Sequence, residues 1–178
     1  VPKIYVKIKT YLKKKNYKSF EIKDLKIKKI LKINIKNLSH LGSDRIANAI
    51  GSKYAKNCIV IDFGTATTFD IIDNTGSYLG GVIAPGINLS LDALHMSTAL
   101  LPRISMKTPK SKSIIGKSTI SAMNAGIYWG YIGLIEGIIN KIREELMYKD
   151  FKIIATGGLA NFFSKATDLI DKIDDDLT

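Results

Sequence analysis

The sequence predicts an α/β fold, and three stretches carry that prediction. Residues 58–85 contain β-rich runs separated by a Gly-Thr turn and the turn "NTG", a pattern typical of an antiparallel meander. Residues 118–147 form the longest helix candidate. The run "FKIIATGGLANFF" predicts a further strand, a Gly-Gly turn and the start of a helix. The 178 residues, 46% apolar and 24% charged, suit one or two ordered domains that bury a core.

The N-terminal residues 1–36 give a mixed pattern. Two short β-like runs, "KIYVKI" and "FEIKDLKI", accompany a lysine-rich helix-like stretch, and we interpret the segment as a fragment of a domain. The next run, "SHLGSDRIANAIGSKYA", predicts a helix from about Asp44 to Ala55. Ser43 is placed to cap this helix, and Asp44 and Arg45 open its first turn.

The meander is followed by a helix and a loop. Asp62 lies at the end of the first predicted strand, in "CIVIDFG". "APGINLSLDALHMSTALLPRI" predicts an amphipathic helix that starts at the Pro-Gly and continues to about Leu100. A lysine- and serine-rich loop follows from about 103 to 115, and the chain closes with the acidic run "DLIDKIDDDLT".

The long helix carries a row of glycines at helical spacing. Gly126, Gly130, Gly133 and Gly137 fall on one face. Each glycine in a helix interior costs roughly 1 kcal/mol relative to alanine, so we expect close packing on this face to offset the loss. The partner would be another helix, either in the same chain or across a dimer seam.

Composition argues against several classes of protein. The net charge is +11, but only three of the 27 basic residues are arginines, and no zinc-finger, helix-turn-helix or RNA-sheet aromatic motif is present. Codon bias towards A/T explains the abundant lysines at least as well as a nucleic-acid role. No apolar run is long enough to span a membrane, and the N-terminus lacks the pattern of a secretory signal. The single cysteine, Cys58, fits a buried small hydrophobe in a reducing compartment, so we expect a cytoplasmic protein.

Two familiar motifs are present only in part. "DFG" at residues 62–64 is the metal-binding signature of protein kinases, but the catalytic loop and lysine-bearing strand that should precede it are missing. "IIGKST" at 114–119 imitates the end of a Walker A loop, but Ser111 stands where the first glycine is required. A loop entering a helix, with Ser118 or Thr119 as its cap, explains this run better.

The segment "DFGTATTFD" has two interpretations. A turn rich in glycine and hydroxyl groups, here Gly64, Thr65 and Thr67, can present N–H and Oγ groups to a polyphosphate, while Asp62 holds a cation. An ordinary turn with β-favouring threonines is the alternative. Gly157 and Gly158 in "ATGG" form a second candidate nucleotide loop, although strand-Gly-Gly-helix is also a common turn.

Taken together and in order, these segments resemble type III pantothenate kinases. The resemblance covers about residues 38–178, and the blocks "GSDR", "DFGTATT" and "GGVIAPG" are specific to that family. It implies a ribonuclease-H-like, actin-like ATPase fold, with a mixed sheet flanked by helices. Residues 1–56 would be the end of a first domain and 57–178 a nearly complete second domain. The activity implied is phosphorylation of pantothenate by ATP with Mg²⁺, in a homodimer.

The resemblance also implies roles for individual residues. Asp44 matches the general base that takes the proton of the pantothenate hydroxyl, within a substrate-binding segment formed by Gly42, Ser43, Asp44 and Arg45. Asp62 matches the ligand of a monovalent cation, K⁺ or NH₄⁺, and Thr65 an ATP contact. Thr119 matches a substrate contact that the partner subunit supplies. By spacing alone, an aspartate at a helix start is most often explained by the helix dipole that stabilises it there.

The chain departs from the family pattern in two places. The family begins with a phosphate loop of the form Asp-x-Gly-Asn-Thr that this sequence lacks, so we expect an N-terminal segment and a few C-terminal residues to be missing. Ile35 occupies a position where the family commonly has a tyrosine that contacts substrate. The alternatives to a kinase are a non-catalytic regulatory or binding relative, an inactive fragment, and a basic nucleic-acid binder.

Overall fold

A five-stranded sheet organises the part of the chain that the computed structural model describes, residues 2–22, 25–35, 37, 41–108, 113–147 and 150–178. The strands in chain order are β1 Cys58–Phe63, β2 Ala66–Ile72, β3 Tyr78–Pro85, β4 Lys152–Thr156 and β5 Lys172–Ile173. The helices are α1 Pro2–Lys14, α2 Ile27–Ile30, α3 Ser43–Ser52, α4 Ile87–Met96, α5 Thr119–Leu146 and α6 Ala160–Phe163.

The sheet is mixed, with the strand order β3-β2-β1-β4-β5. The pairs β1–β2 and β2–β3 are antiparallel, which confirms the predicted meander. β4 pairs parallel with β1 on its other side, and β5 pairs parallel with β4. The predicted strand and helix start around the Gly-Gly turn are also confirmed, as β4 and α6. The result is an α/β structure in which β1 is the central strand.

The two faces of the sheet bury different residues. The alternate residues Ile59, Ile61 and Phe63 of β1 belong to the main core, which includes the buried side of α5. The ring of Phe63 stacks on Phe163 of α6 with centroids 5.2 Å apart. Helix α3 contacts the sheet through β1 and β2.

The N-terminal segment differs from the sequence prediction. "KIYVKI" lies within α1, so its prediction as a β-like run is wrong. Among the described residues the five-stranded sheet contains no strand from this run, and its lysines favour helix; the segment touches the sheet only later, where Ile33 forms an isolated bridge with Tyr78. Lys9 Nζ donates to Tyr5 Oη one helical turn away at 2.9 Å. The described part of "FEIKDLKI" also forms no strand; Lys23 and Asp24 lie outside the described residues, and α2 begins at Ile27.

Helix boundaries shift by a few residues from those predicted. Gly42, and not Ser43, is the N-cap of α3, which ends at Ser52 instead of Ala55. Helix α4 ends at Met96, where Ser97 closes it with a hydrogen bond to the Ala93 carbonyl. The predicted loop between α4 and α5 contains no helix or strand in its described part, and residues 109–112 lie outside that part.

Helix α5 confirms the longest predicted helix and its cap. The Ser118 side chain accepts from the Ser121 N–H, and the Ser121 side chain accepts from the Ser118 N–H, forming a reciprocal capping box. With 28 residues, α5 is the longest helix in the described ranges, and none of the helices there is both long and apolar enough to cross a membrane.

The glycine face of α5 has no partner among the described residues. Gly126, Gly130, Gly133 and Gly137 are exposed, and a Cβ atom built at any of them would meet no atom within 4 Å. The expectation of a packing partner within the same chain is therefore wrong for the part that the structure describes. A partner across a dimer seam remains a prediction.

Candidate functional site

Two glycine turns meet at one edge of the sheet. Gly64 and Thr65 follow β1, and Gly157 and Gly158 follow β4. Because β1 and β4 are parallel neighbours, their carboxyl ends lie side by side, where α/β sheets commonly bind ligands. The fold thus brings together the two candidate nucleotide loops, which are far apart in the sequence.

Asp62 lies between these turns. A Cβ atom built on Gly157 would stand 2.7 Å from Asp62 Oδ1, and one built on Gly64 would stand 3.7 Å from the same oxygen. Gly157 also adopts a φ of +89°, which side-chain-bearing residues rarely adopt. Close approach to Asp62 and backbone conformation together explain why a glycine is needed at position 157.

The second carboxylate oxygen of Asp62 faces α3. Asn48 Nδ2 donates to Asp62 Oδ2 at 3.3 Å, and Thr178 Oγ1 lies 3.4 Å from the same oxygen. Thr178 Oγ1 also donates to Asn48 Oδ1 at 2.6 Å. A buried asparagine of α3 therefore links that helix to the aspartate at the strand end.

Two buried hydroxyl groups flank Asp62 on the same face of the sheet. Thr68 and Thr156 are its register partners on β2 and β4. Their Oγ1 atoms are buried, and neither has a hydrogen-bond partner within the described residues. Such unpaired buried oxygens are costly unless something else binds them. Asp62, Thr68 and Thr156 thus form a group of oxygen atoms that could hold a cation.

The predicted nucleotide contacts do not all face the open edge. Gly64 and Thr65 are exposed, whereas Thr67 is buried beside Phe63, with its Oγ1 unpaired among the described residues. The Gly64 N–H donates to the Ala66 carbonyl at 3.1 Å, which closes the turn on itself. That N–H is therefore occupied, and Thr65 is the exposed hydroxyl of the turn.

A Pro-Gly segment supports the first turn from behind, and sequence reasoning missed it as part of the site. A Cβ atom on Gly86 would lie 2.1 Å from the Thr65 carbonyl oxygen, so only glycine fits. The preceding Pro85 carbonyl accepts a hydrogen bond from Tyr131 of α5 at 2.6 Å. Burial raises the pKa of Tyr131, which keeps its hydroxyl a donor. Helix α5 thus braces the turn.

Asp44 is exposed in the first turn of α3. Its Oδ1 accepts the Arg45 N–H at 2.9 Å, a contact within its own helix. The rest of the carboxylate is open to solvent, so a hydroxyl group could approach it. Gly42 and Ser43 lie beside it at the start of the helix.

Arg45 points into the protein, where it meets two residues that sequence reasoning missed. Its Nε donates to Asp70 Oδ1 at 2.8 Å, and its Nη2 donates to Tyr78 Oη at 2.7 Å. The Tyr78 hydroxyl in turn donates to Asp70 Oδ1 at 2.8 Å. The available signal was an aspartate inside the apolar strand "TTFDII", because a buried carboxylate requires a partner.

Burial and the neighbouring charges shift the pKa values of Asp70 and Tyr78. Burial raises the pKa of Asp70, and the adjacent Arg45 guanidinium offsets only part of that rise. Burial, and then the Asp70 charge, raise the pKa of Tyr78, so its hydroxyl stays protonated. A groove of about 310 Å³ opens beside the group, lined in part by Ile35, Leu41, Arg45 and Tyr78.

Thr119 is the first residue of α5, a different helix from the one that carries Asp44. No hydrogen bond within the described ranges links it to α3 or to the glycine turns. A cavity of about 700 Å³ lies beside this helix start, lined by Ser118, Ile120 and Asn124 among others. The fold of one chain therefore brings Asp62 and the two glycine turns together, and Asn48 connects α3, the helix that carries Asp44, to Asp62; no described hydrogen bond connects Thr119 to this group.

Comparison with known proteins identifies relatives of this chain. A family profile described as type III pantothenate kinase matches residues 1–141. A type III pantothenate kinase of Rhodospirillum rubrum is 56% identical over 140 residues, which is 78% of this chain and 53% of that protein. One from Paramagnetospirillum magneticum is 51% identical over 150 residues, 83% of this chain and 56% of that protein.

A solved structure also matches. It is a crystal structure from Campylobacter jejuni, described as a conserved putative Baf family transcriptional activator, with a TM-score of 0.62 and 26% identity. The match covers 96% of this chain and 72% of that one. The chain spans about half the length of the curated relatives that it matches. By the profile match and by these identities, the chain belongs to the type III pantothenate kinase family.

Proposed function

We propose that the protein transfers the γ-phosphoryl group of ATP to pantothenate, the first step of coenzyme A biosynthesis. The observation that carries this proposal is the meeting of two glycine turns at Asp62, in a chain of this family. Transfer is direct and in line, with the pantothenate hydroxyl as the nucleophile. The protein acts in the cytoplasm.

The proposed fold is ribonuclease-H-like, of the actin-like ATPase type. A three-stranded antiparallel meander followed by two parallel strands, with helices on both faces, supports this assignment. Residues 57–178 then form the second domain and residues 1–56 the end of the first. In this division α3, at the end of the first domain, contacts β1 and β2 of the second.

The nucleotide occupies the edge formed by the two glycine turns. Thr65 contacts ATP, and Gly64, Gly157 and Gly158 shape the turns around the phosphates. Thr67, which is buried beside Phe63, acts on the nucleotide only through the position of the first turn. Mg²⁺ bound to the ATP phosphates would neutralise part of their charge there.

Asp62 binds a monovalent cation, K⁺ or NH₄⁺. The unpaired buried oxygens of Thr68 and Thr156 beside one carboxylate fit such an ion, which takes several oxygen ligands of low total charge. The cation supplies positive charge near the phosphates. Asp62 and its two hydroxyl neighbours hold it in place.

Pantothenate binds at the first turn of α3. Asp44 takes the hydroxyl proton as general base, and Gly42, Ser43 and Arg45 complete the segment, with Arg45 near the substrate carboxylate. Thr119 contacts substrate bound to the other subunit of a homodimer. The exposed glycine face of α5 supports this dimer, because close packing there would offset the cost of four helical glycines.

Kinetics of the gene product that carries this chain test the proposal. A coupled assay should detect ADP formation that requires pantothenate and K⁺ or NH₄⁺, with Na⁺ failing to replace them. Asp44→Asn should abolish most turnover and leave ATP binding intact, while the control Asp92→Asn, on α4, should behave as wild type. Equal activity of Asp44→Asn and wild type would reject Asp44 as the base.

The alternative function is a non-catalytic regulatory or binding protein. It is favoured by the description of the Campylobacter jejuni neighbour as a putative Baf family transcriptional activator. This alternative predicts no pantothenate-dependent ADP formation and salt-sensitive retention on DNA or RNA. Turnover without such retention would exclude it.

A further inference from the structure

The start of α3 has no side-chain cap among the described residues. Its N-cap is Gly42, which has no side chain to accept a hydrogen bond from the first turn. A helix of ten residues is marginal on its own, so tertiary contacts must fix its first turn. Asp44 projects from that turn, and its one hydrogen bond among the described residues is to the neighbouring Arg45 N–H. The direction of the Asp44 carboxylate therefore depends on what holds the turn.

The Arg45 side chain provides that hold. It makes two hydrogen bonds to buried groups on the sheet, through Nε to Asp70 and through Nη2 to Tyr78. Both partners are fully buried, and only 14% of the Arg45 side chain is exposed. Two bonds in the plane of the guanidinium fix its orientation as well as its position.

The sheet is shaped to receive this side chain. A Cβ atom on Gly81 would lie 2.2 Å from Arg45 Nη2, so a larger residue on β3 would displace the guanidinium. The Tyr78–Asp70 hydrogen bond connects β3 to β2, which makes the two partners one rigid unit. Asp70 also balances the charge of Arg45, which a buried guanidinium requires.

We propose that Asp70 and Tyr78 are positioning residues that act through Arg45 to aim the Asp44 carboxylate at the substrate hydroxyl. Neither touches substrate in this arrangement, because both are buried. The inference rests on the proposed function, because it names the residues that hold Asp44, the proposed base, in position. It predicts that weakening the contacts of Asp70 and Tyr78 with Arg45 lowers kcat and leaves nucleotide binding unchanged.

Tyr78→Phe is the sharpest variant, because it removes one hydroxyl and retains the Arg45–Asp70 ion pair. We expect kcat to fall about tenfold, as small misplacements of a catalytic group cost at least that much. KM for ATP should stay constant. The fall should be equal for pantothenate and for pantothenol, a neutral analogue with the same reactive hydroxyl. Tyr128→Phe, which removes a hydroxyl from a ring packed against Phe162 on the other side of the sheet, should have no effect.

Hydrogen exchange supplies a readout that does not depend on activity. In Tyr78→Phe the amides of the first turns of α3 should exchange faster, while those of β1 stay protected. If the wild-type protein shows no turnover, but Tyr78→Phe still speeds exchange at the start of α3, the proposed function is rejected. The role of Tyr78 in anchoring the first turn of α3 is then retained. Three results would each overturn the positioning role. They are an unchanged kcat in a folded Tyr78→Phe variant, a fall in kcat for pantothenate but not for pantothenol, and hydrogen exchange that rises throughout the protein.

Discussion

Replacing Gly157 by alanine tests the close approach that forms the candidate site. A Cβ atom at this position would lie 2.7 Å from Asp62 Oδ1 and 2.8 Å from both the N and the O atom of Phe63. The Asp62 side chain can rotate away from the added Cβ atom, but its carboxylate then leaves its position between the two glycine turns. The Phe63 atoms belong to β1, which is held between β2 and β4, so they cannot yield.

The expected loss of stability has two sources. A side chain held at a φ of +89° costs about 1–3 kcal/mol. Overpacking against fixed neighbours costs about 1–3 kcal/mol more. The free energy of unfolding should therefore fall by about 2–6 kcal/mol, a large share of the roughly 5–15 kcal/mol typical of a folded protein. Nucleotide binding should weaken as well, because Asp62 and the turn both move.

The adjacent glycine is a matched control. A Cβ atom on Gly158 would meet nothing within 4 Å, so Gly158→Ala should change stability by less than about 1 kcal/mol. Urea unfolding followed by fluorescence of Trp129, the single tryptophan, measures both variants. Stabilities of Gly157→Ala and Gly158→Ala that agree within about 0.5 kcal/mol would refute the reasoning, because they would mean that position 157 is not crowded.

Three further predictions concern single residues. Ser118→Ala should lower the free energy of unfolding by about 1 kcal/mol in urea titrations, because it removes the cap of α5; an unchanged midpoint would contradict this. Cys58 should react with Ellman's reagent only after unfolding, because burial raises its pKa to about 11; rapid reaction of the native protein near pH 8 would count against it. Burial raises the pKa of Asp73, but hydrogen bonds from Thr75 and Ser77 outweigh burial and bring the pKa below 3.8. The ionised carboxylate thus stabilises the fold above that pH. This stabilisation disappears as the pH falls through the pKa that Asp73 has in the folded protein. Asp73→Asn should flatten this part of a pH–stability curve, and an identical curve would argue otherwise.

Local signals account for the parts of the fold that could be predicted. The meander follows from alternating β-rich runs and the turn at Gly76, which adopts a φ of +78°. Helix α5 follows from its length and from the cap at Ser118. The positions of Asp44 and Asp62 relative to helix start and strand end follow from the same patterns. In each case the information lies within a few residues of the element itself.

Contacts between distant segments account for what the sequence left open. The hydrogen bonds from Arg45 to Asp70 and Tyr78 join residues on three different elements, and no local pattern pairs them. The β-like run in α1 misled because alternation of apolar and basic residues does not make a strand without a neighbour to pair with. The support of the Thr65 turn by Gly86 likewise depends on the return of β3 to the same edge.

The central position of β1 has a consequence for how the chain folds. One side of β1 pairs with β2, its immediate successor, so that hairpin can form as soon as it is synthesised. The other side waits for β4, which follows only after the whole of α5. Until then an apolar strand presents an open edge, a known route to aggregation. A nascent or shortened chain that ends before Lys152 should therefore depend on chaperones, and the two glycine turns should meet only as folding ends.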